Sequence, residues 1–167
     1  MDSKFYYPTN SGSLGEPRRV HSFVSPAEPR APRFGADYGR IPSTFATPTV
    51  LVVEDDDNSR FVLRKILGSK GYRVLEAYDG KQAVEVASGE ELNLILLDLQ
   101  LPRLNGLGVI RELRENLNLE SLPIVIMTAC EPEKYRGSAI AAGCDDFLLK
   151  PIDFDRLDAV LDYFVPL

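Results

Sequence analysis

Residues 92–102, LNLILLDLQLP, decide how the rest of the chain is read. Leu94, Ile95, Leu96 and Leu97 form an apolar run without alternation, the pattern of a central parallel strand covered by helices on both faces. The run ends on an acid, Asp98. Ligands of open α/β sheets bind in the crevice outside the carboxyl ends of the strands, so a carboxylate leaving a buried strand there is a site candidate. Taken by itself, Asp98 fits the start of a turn toward Pro102 equally well.

Working outward, the same unit repeats in both directions. On the N-terminal side, residues 49–53 form a β-branched strand that runs into Glu54-Asp55-Asp56-Asp57, four acids that repel one another. Over 58–69, Val62, Leu63, Ile66 and Leu67 recur at helical spacing, and Gly68 and Gly71 mark the stop. Residues 72–77 make a second strand, after which Asp79 caps a helix to about Ala87. On the C-terminal side, Pro102, Asn105 and Gly106 form a loop into a helix with Leu107, Ile110 and Leu113 on one face, ending near Asn116. Residues 123–128 are the next buried strand, 132–142 a helix stopped by Gly143, and 146–149 a last short strand closed by Lys150-Pro151. Asp153 or Asp155 starts a terminal helix whose apolar face, Leu157, Val160, Leu161 and Phe164, suits either the core or a dimer contact. Five strands alternating with five helices predict a doubly wound α/β parallel sheet, flavodoxin-like (βα)5, in strand order 2-1-3-4-5.

The chain of 167 residues allows one ordinary domain plus something extra. That extra is residues 1–48, which hold seven of the twelve prolines among Ser, Gly and Arg without periodicity. Such a segment cannot bury enough apolar surface to offset its ordering entropy, so a disordered tail is expected ahead of a domain at 49–167. Its aromatics, among them Phe5, Tyr6 and Phe23, leave docking of short pieces open, and its His21 has no second metal ligand type nearby. The net charge of −6 divides into +2 for residues 1–48 and −8 for 49–167. An acidic domain argues against direct DNA binding, which needs a basic face, and is compatible with a bound cation. No stretch approaches the roughly eighteen apolar residues of a membrane span, and no signal or transit pattern opens the chain, so a cytoplasmic protein is expected. Cys130 and Cys144 have neither metal-ligand spacing nor disulfide density and are expected to be reduced thiols.

On the expected sheet, strand one delivers Glu54 and Asp55, strand three Asp98, strand four Thr128 and strand five Lys150 to a single edge. Clustered carboxylates repel, and a cation removes that cost. Mg²⁺ suits the set, because it takes oxygen ligands, keeps several waters and is held by one or two carboxylates plus phosphate oxygens. Asp55 and Asp98 are the expected direct ligands, with Glu54 acting through a water and the backbone carbonyl of Gln100 completing the protein share. Lys150 can pair with Asp98 and then with a phosphoryl group, while the Thr128 hydroxyl donates to another oxygen. Asp98 would be the nucleophile, giving an aspartyl phosphate.

The pieces LVVEDDD at 51–57, LILLDLQLPRLNG at 94–106, IVIMTA at 124–129 and DDFLLKP at 145–151 resemble the receiver domains of two-component response regulators. The likeness extends from Thr49 to about Phe164. It implies Asp98 as phosphoacceptor, Glu54 and Asp55 as the acidic pair, Thr128 as switch hydroxyl, Lys150 as phosphate contact, Phe147 as switch aromatic and a cis bond before Pro151. It also implies a histidine kinase or histidine phosphotransfer protein as donor. The surface of helix 4, strand 5 and helix 5, about 132–164, would then contact an effector or a second copy of the chain. Gln100 and Cys130 fall at the variable places that modulate hydrolysis; neither is an acid able to act as a base, so fast hydrolysis is not expected. The chain ends after the last helix, which, if the sequence is complete, implies a stand-alone receiver acting as a diffusible signalling partner or as a phosphorelay intermediate. Two rivals remain. A haloacid-dehalogenase-type phosphatase also uses an Asp after a buried strand but wants a second Asp two residues on, where this chain has Gln100. A constitutive scaffold would have no reason to keep the acids, Thr128 and Lys150 together.

Overall fold

The structure, a computed structural model, describes residues 47–129 and 132–167. The tail expected over 1–48 therefore lies, but for Thr47 and Pro48, outside the described residues. β1 (Thr49–Val53), β3 (Leu94–Asp98) and β4 (Ile124–Thr128) are buried at every position. β2 (Arg73–Ala77) and β5 (Asp146–Leu149) flank them and are only partly covered. All pairings are parallel, in the order β2-β1-β3-β4-β5 expected from the alternating elements. A central strand needs apolar side chains on both faces, and these three have them.

Strand alternation divides the core into two layers. Val50, Val52, Leu94, Leu96, Val125, Met127 and Leu148 face α1 (Asp57–Ser69) and α5 (Phe154–Phe164), meeting Leu63, Leu67, Leu157, Val160 and Leu161. The apolar face of α5 is therefore core, not dimer surface. Leu51, Val53, Ile95, Leu97, Ile124 and Ile126 face the other way, meeting Ala83 and Ala87 of α2 (Gly80–Gly89), Val109 and Ile110 of α3 (Gly106–Arg111), and Ala139 of α4 (Pro132–Ala142). Each fully buried Leu or Ile contributes roughly 1.5–3 kcal/mol.

Helix starts follow side-chain caps, each satisfying backbone N–H groups that the first turn leaves without partners. Asp56 accepts from Ser59, Asp79 from Lys81 and Gln82, Asn105 from Gly108, and Asp153 from Asp155 and Arg156. Asp153 thus starts α5, and Asp155 sits inside its first turn. The third helix reaches Asn116 only by widening into a π-helical stretch, Glu112–Asn116. β2 begins one residue later than the pattern suggested, because Tyr72 is buried with its hydroxyl donating to the Val165 carbonyl at 2.9 Å. Among the described residues no helix is long and apolar enough to cross a membrane.

Cys144 is a free, buried thiol beneath α4, and burial followed by the charge of Asp145 pushes its pKa up to about 12. Only thiolate reacts with alkylating reagents. Cys144 is therefore expected to stay unmodified by iodoacetamide at pH 8 in the folded protein and to react once denaturant is added, as read by peptide mapping. Modification at equal rates in both conditions would contradict its burial.

Candidate functional site

The parallel register aligns the strand ends. Val53 pairs with Leu97, Asp98 with Met127 and Thr128 with Leu149, so Glu54 comes level with Asp98 and Lys150 follows one step beyond Thr128. Alternation then sorts the side chains. Glu54, Asp98 and Lys150 continue the face of Val52, Leu96 and Leu148, on the α1 and α5 side. Thr128 and Phe147 continue the opposite face, with Ile126, on the α4 side.

Lys150 joins the first group. Its Nζ donates to Glu54 Oε2 at 2.6 Å and to Asp98 Oδ2 at 2.5 Å. Glu54 is 2% exposed and Asp98 6%, so both charges need this partner. Burial pushes the Glu54 carboxyl up, the Lys150 hydrogen bond and charge oppose the rise, and the charge of Asp98 adds to it; the net direction is upward. Burial alone would lower the Lys150 ammonium, but hydrogen bonds to Asp98 and Glu54 carry it above its ordinary value. The other Asp98 oxygen, Oδ1, accepts from the Gln100 N–H at 2.8 Å.

Asp55, exposed, completes the acidic set: Glu54, Asp55 and Asp98 each offer a carboxylate oxygen, all within 4.8 Å of one another. Two full charges at that distance repel by roughly 3.5 kcal/mol at an effective dielectric of 20. Three carboxylates less the one charge neutralised by Lys150 leave two, the charge of a single divalent cation. The donors are all hard oxygens from two adjacent strand ends, which fits Mg²⁺ and not a thiolate- or imidazole-seeking metal.

The four acids that follow β1 divide their work. Asp56 is the cap of α1, and the Ser59 N–H holds its carboxyl below the ordinary value. Asp57 pairs with Arg60, whose guanidinium also donates to the Glu54 carbonyl at 2.7 Å and approaches Glu76. Arg60 was not legible as a site neighbour, because its spacing from Asp57 looks like any i,i+3 surface pair.

Thr128 is 2% exposed at the end of β4, and its carbonyl accepts from the Lys150 N–H at 2.9 Å. Phe147 is half-buried and packed against the core on the α4 side of the sheet. Lys150-Pro151 is cis, as the resemblance implied. Gln100 is exposed and Cys130 lies outside the described residues.

The model of the response regulator receiver domain matches residues 50–162. Response regulator MprA of Mycobacterium ulcerans is 39% identical over 108 residues, which are 65% of this chain and 46% of that protein. Transcriptional activator protein PfeR of Pseudomonas aeruginosa is 37% identical over 116 residues, 70% of this chain and 37% of that protein. Among solved structures, the receiver domain of sensor histidine kinase PA1611 from Pseudomonas aeruginosa PAO1, with a magnesium ion coordinated in its active-site cleft, superposes with a TM-score of 0.67. It is 34% identical and covers 73% of this chain and 100% of that one. The chain spans less than half the length of these curated relatives. A relative that is a transcriptional activator corrects the exclusion of DNA drawn from the acidic charge. The charge of −8 describes one domain, and it does not bound the partners of proteins more than twice the length of the match.

Proposed function

Because the chain belongs to the response regulator receiver domain family over residues 50–162, we propose that Asp98 accepts a phosphoryl group in a Mg²⁺-dependent reaction and that the change is read on the surface of α4, β5 and α5. The observation that supports this reading best is the Lys150 ammonium set between Glu54 and Asp98, beside a third carboxylate. Asp55 and Asp98 would hold the ion directly, with Glu54 through a water and the Gln100 carbonyl as a further ligand. When bound, Mg²⁺ supplies charge neutralisation for the phosphoryl oxygens. An Asp98 oxygen forms the new bond to phosphorus as the bond from phosphorus to a histidine nitrogen of the donor breaks, and the released imidazole takes up a proton. Lys150 leaves Asp98 to pair with the incoming phosphoryl oxygens, and the Thr128 hydroxyl donates to another. The donor is a histidine kinase or phosphotransfer protein; no turnover of an external substrate is expected, since Gln100 offers no acid where a phosphatase would need one.

The readout follows from the two faces. Thr128 and Phe147 share the α4 side of the sheet, so a Thr128 drawn toward the phosphoryl group changes the space beside Phe147. Outside it, Ile140, Leu149 and Phe154 are exposed apolar side chains available to a partner. The reading holds for the receiver whether it signals alone or within a longer chain.

Intact mass spectrometry after incubation with phosphoramidate tests it. One phosphoryl group is expected to be gained in Mg²⁺ and none in excess chelator. Equal gain in both conditions would refute the metal dependence, and no gain in either would favour a scaffold.

A further inference from the structure

The loop that leaves Asp98 is held at several points, and one of them reaches outside the site. Gly106 N–H closes the loop onto the Leu99 carbonyl at 3.1 Å, and Leu104 N–H onto the Pro102 carbonyl at 2.8 Å. At its tip stands Arg103, with φ of 65°, in the left-handed region that a side chain like Arg seldom adopts. From there its guanidinium extends to the start of α2. Nη1 lies 2.8 Å from Asp79 Oδ2, and the group sits 5.9 Å from the centroid of the Tyr78 ring.

Asp79 is the unusual partner. It is 1% exposed, and its two oxygens are differently engaged. Oδ1 accepts from the Lys81 and Gln82 N–H groups as the helix cap. Oδ2 is enclosed and makes no hydrogen bond, so the Arg103 contact is an ion pair without hydrogen-bond geometry. A cap alone needs one oxygen, and Asn or Ser would serve as well as Asp. The enclosed second oxygen and its charge are accounted for by Arg103.

We infer that Arg103 is a positioning residue for the phosphoacceptor, acting through Asp79. The pair ties the loop tip to α2 and thereby holds the Gln100 peptide, whose N–H fixes Asp98 Oδ1 and whose carbonyl is assigned to the ion. The inference rests on the proposed function for its consequence, though not for its geometry.

The test uses the full chain as wild type, Arg103→Ala, Arg103→Lys, Asp79→Asn and the double variant Asp79→Asn/Arg103→Ala. Val160→Ala, a core change in α5, is the control matched for lost stability. The first readout needs no metal: hydrogen exchange of the Gln100 amide by NMR. Exchange is expected to rise roughly tenfold in Arg103→Ala and in Asp79→Asn, no further in the double variant, less in Arg103→Lys, and not in the control. Mg²⁺ affinity, followed by amide shifts at the site, is expected to fall by roughly tenfold in the same order. Gln100 exchange that follows thermal stability alone, with the control behaving like the latch variants, would overturn the inference. If the latch variants shift Gln100 while even the wild type takes up neither Mg²⁺ nor a phosphoryl group, the positioning stands and the proposed function falls.

Discussion

Asp98→Ala is expected to remain at its unmodified mass in Mg²⁺ and phosphoramidate, where the wild type is expected to gain one phosphoryl group. The replacement removes a carboxylate that is buried at a central strand end and bonded to both Lys150 and the Gln100 N–H. Phosphorylation at another residue in the variant would sink the assignment. Lys150→Met separates the two roles of the lysine. The proposed nucleophile, Asp98, survives, but the cation that would meet the phosphoryl oxygens is gone, and uptake is expected to slow by about 10²–10³-fold, as when a fixed transition-state donor is lost. The same change leaves Glu54 and Asp98 facing each other without their shared cation. Stability without metal should therefore fall, and Mg²⁺ should raise the melting temperature of Lys150→Met more than that of the wild type. A smaller Mg²⁺ shift in the variant would mean that the lysine does not neutralise these acids.

Gly80→Ala is expected to cost about 3 kcal/mol or more of folding stability, at the upper end of overpacking. An added Cβ would stand 2.0 Å from the Leu104 carbonyl oxygen and 2.8 Å from Val109 Cγ2. The oxygen belongs to the backbone of the loop after β3, so relief requires moving either that loop or the start of α2. Gly137→Ala in α4 is the contrast. Nothing lies within 4 Å of its added methyl, and replacing a helical glycine is expected to stabilise by roughly 0.5–1 kcal/mol. Chemical denaturation of the two variants measures both. Similar losses for the two would show that backbone approach at Gly80 is not what requires glycine there.

The order of elements was legible because burial leaves a local mark. Uninterrupted apolar runs at 50–53, 94–97 and 124–127 identify strands covered on both faces, and the spacing of Leu63 and Leu67 or Leu157 and Leu161 identifies the helices that cover them. Right-handed crossovers leave few ways to join such units, so the strand order followed. The candidate site residues were legible for the same reason, as polar groups at the ends of those runs.

Tertiary structure alone decided which acid does what. Glu54-Asp55-Asp56-Asp57 reads as one cluster, yet the turn into α1 makes Glu54 a buried lysine partner, Asp55 an exposed ligand candidate, Asp56 a cap and Asp57 a surface pair. The half-buried position of Phe147 and the use of the α5 face as core also depend on what packs against them, which local periodicity does not encode. The Asp79–Arg103 pair shows the limit best. Each residue has a sufficient local explanation, one as a helix cap and one as a surface arginine, and 24 positions of sequence separate them. Only the fold, by setting the loop after β3 against the start of α2, turns two locally unremarked charges into one contact.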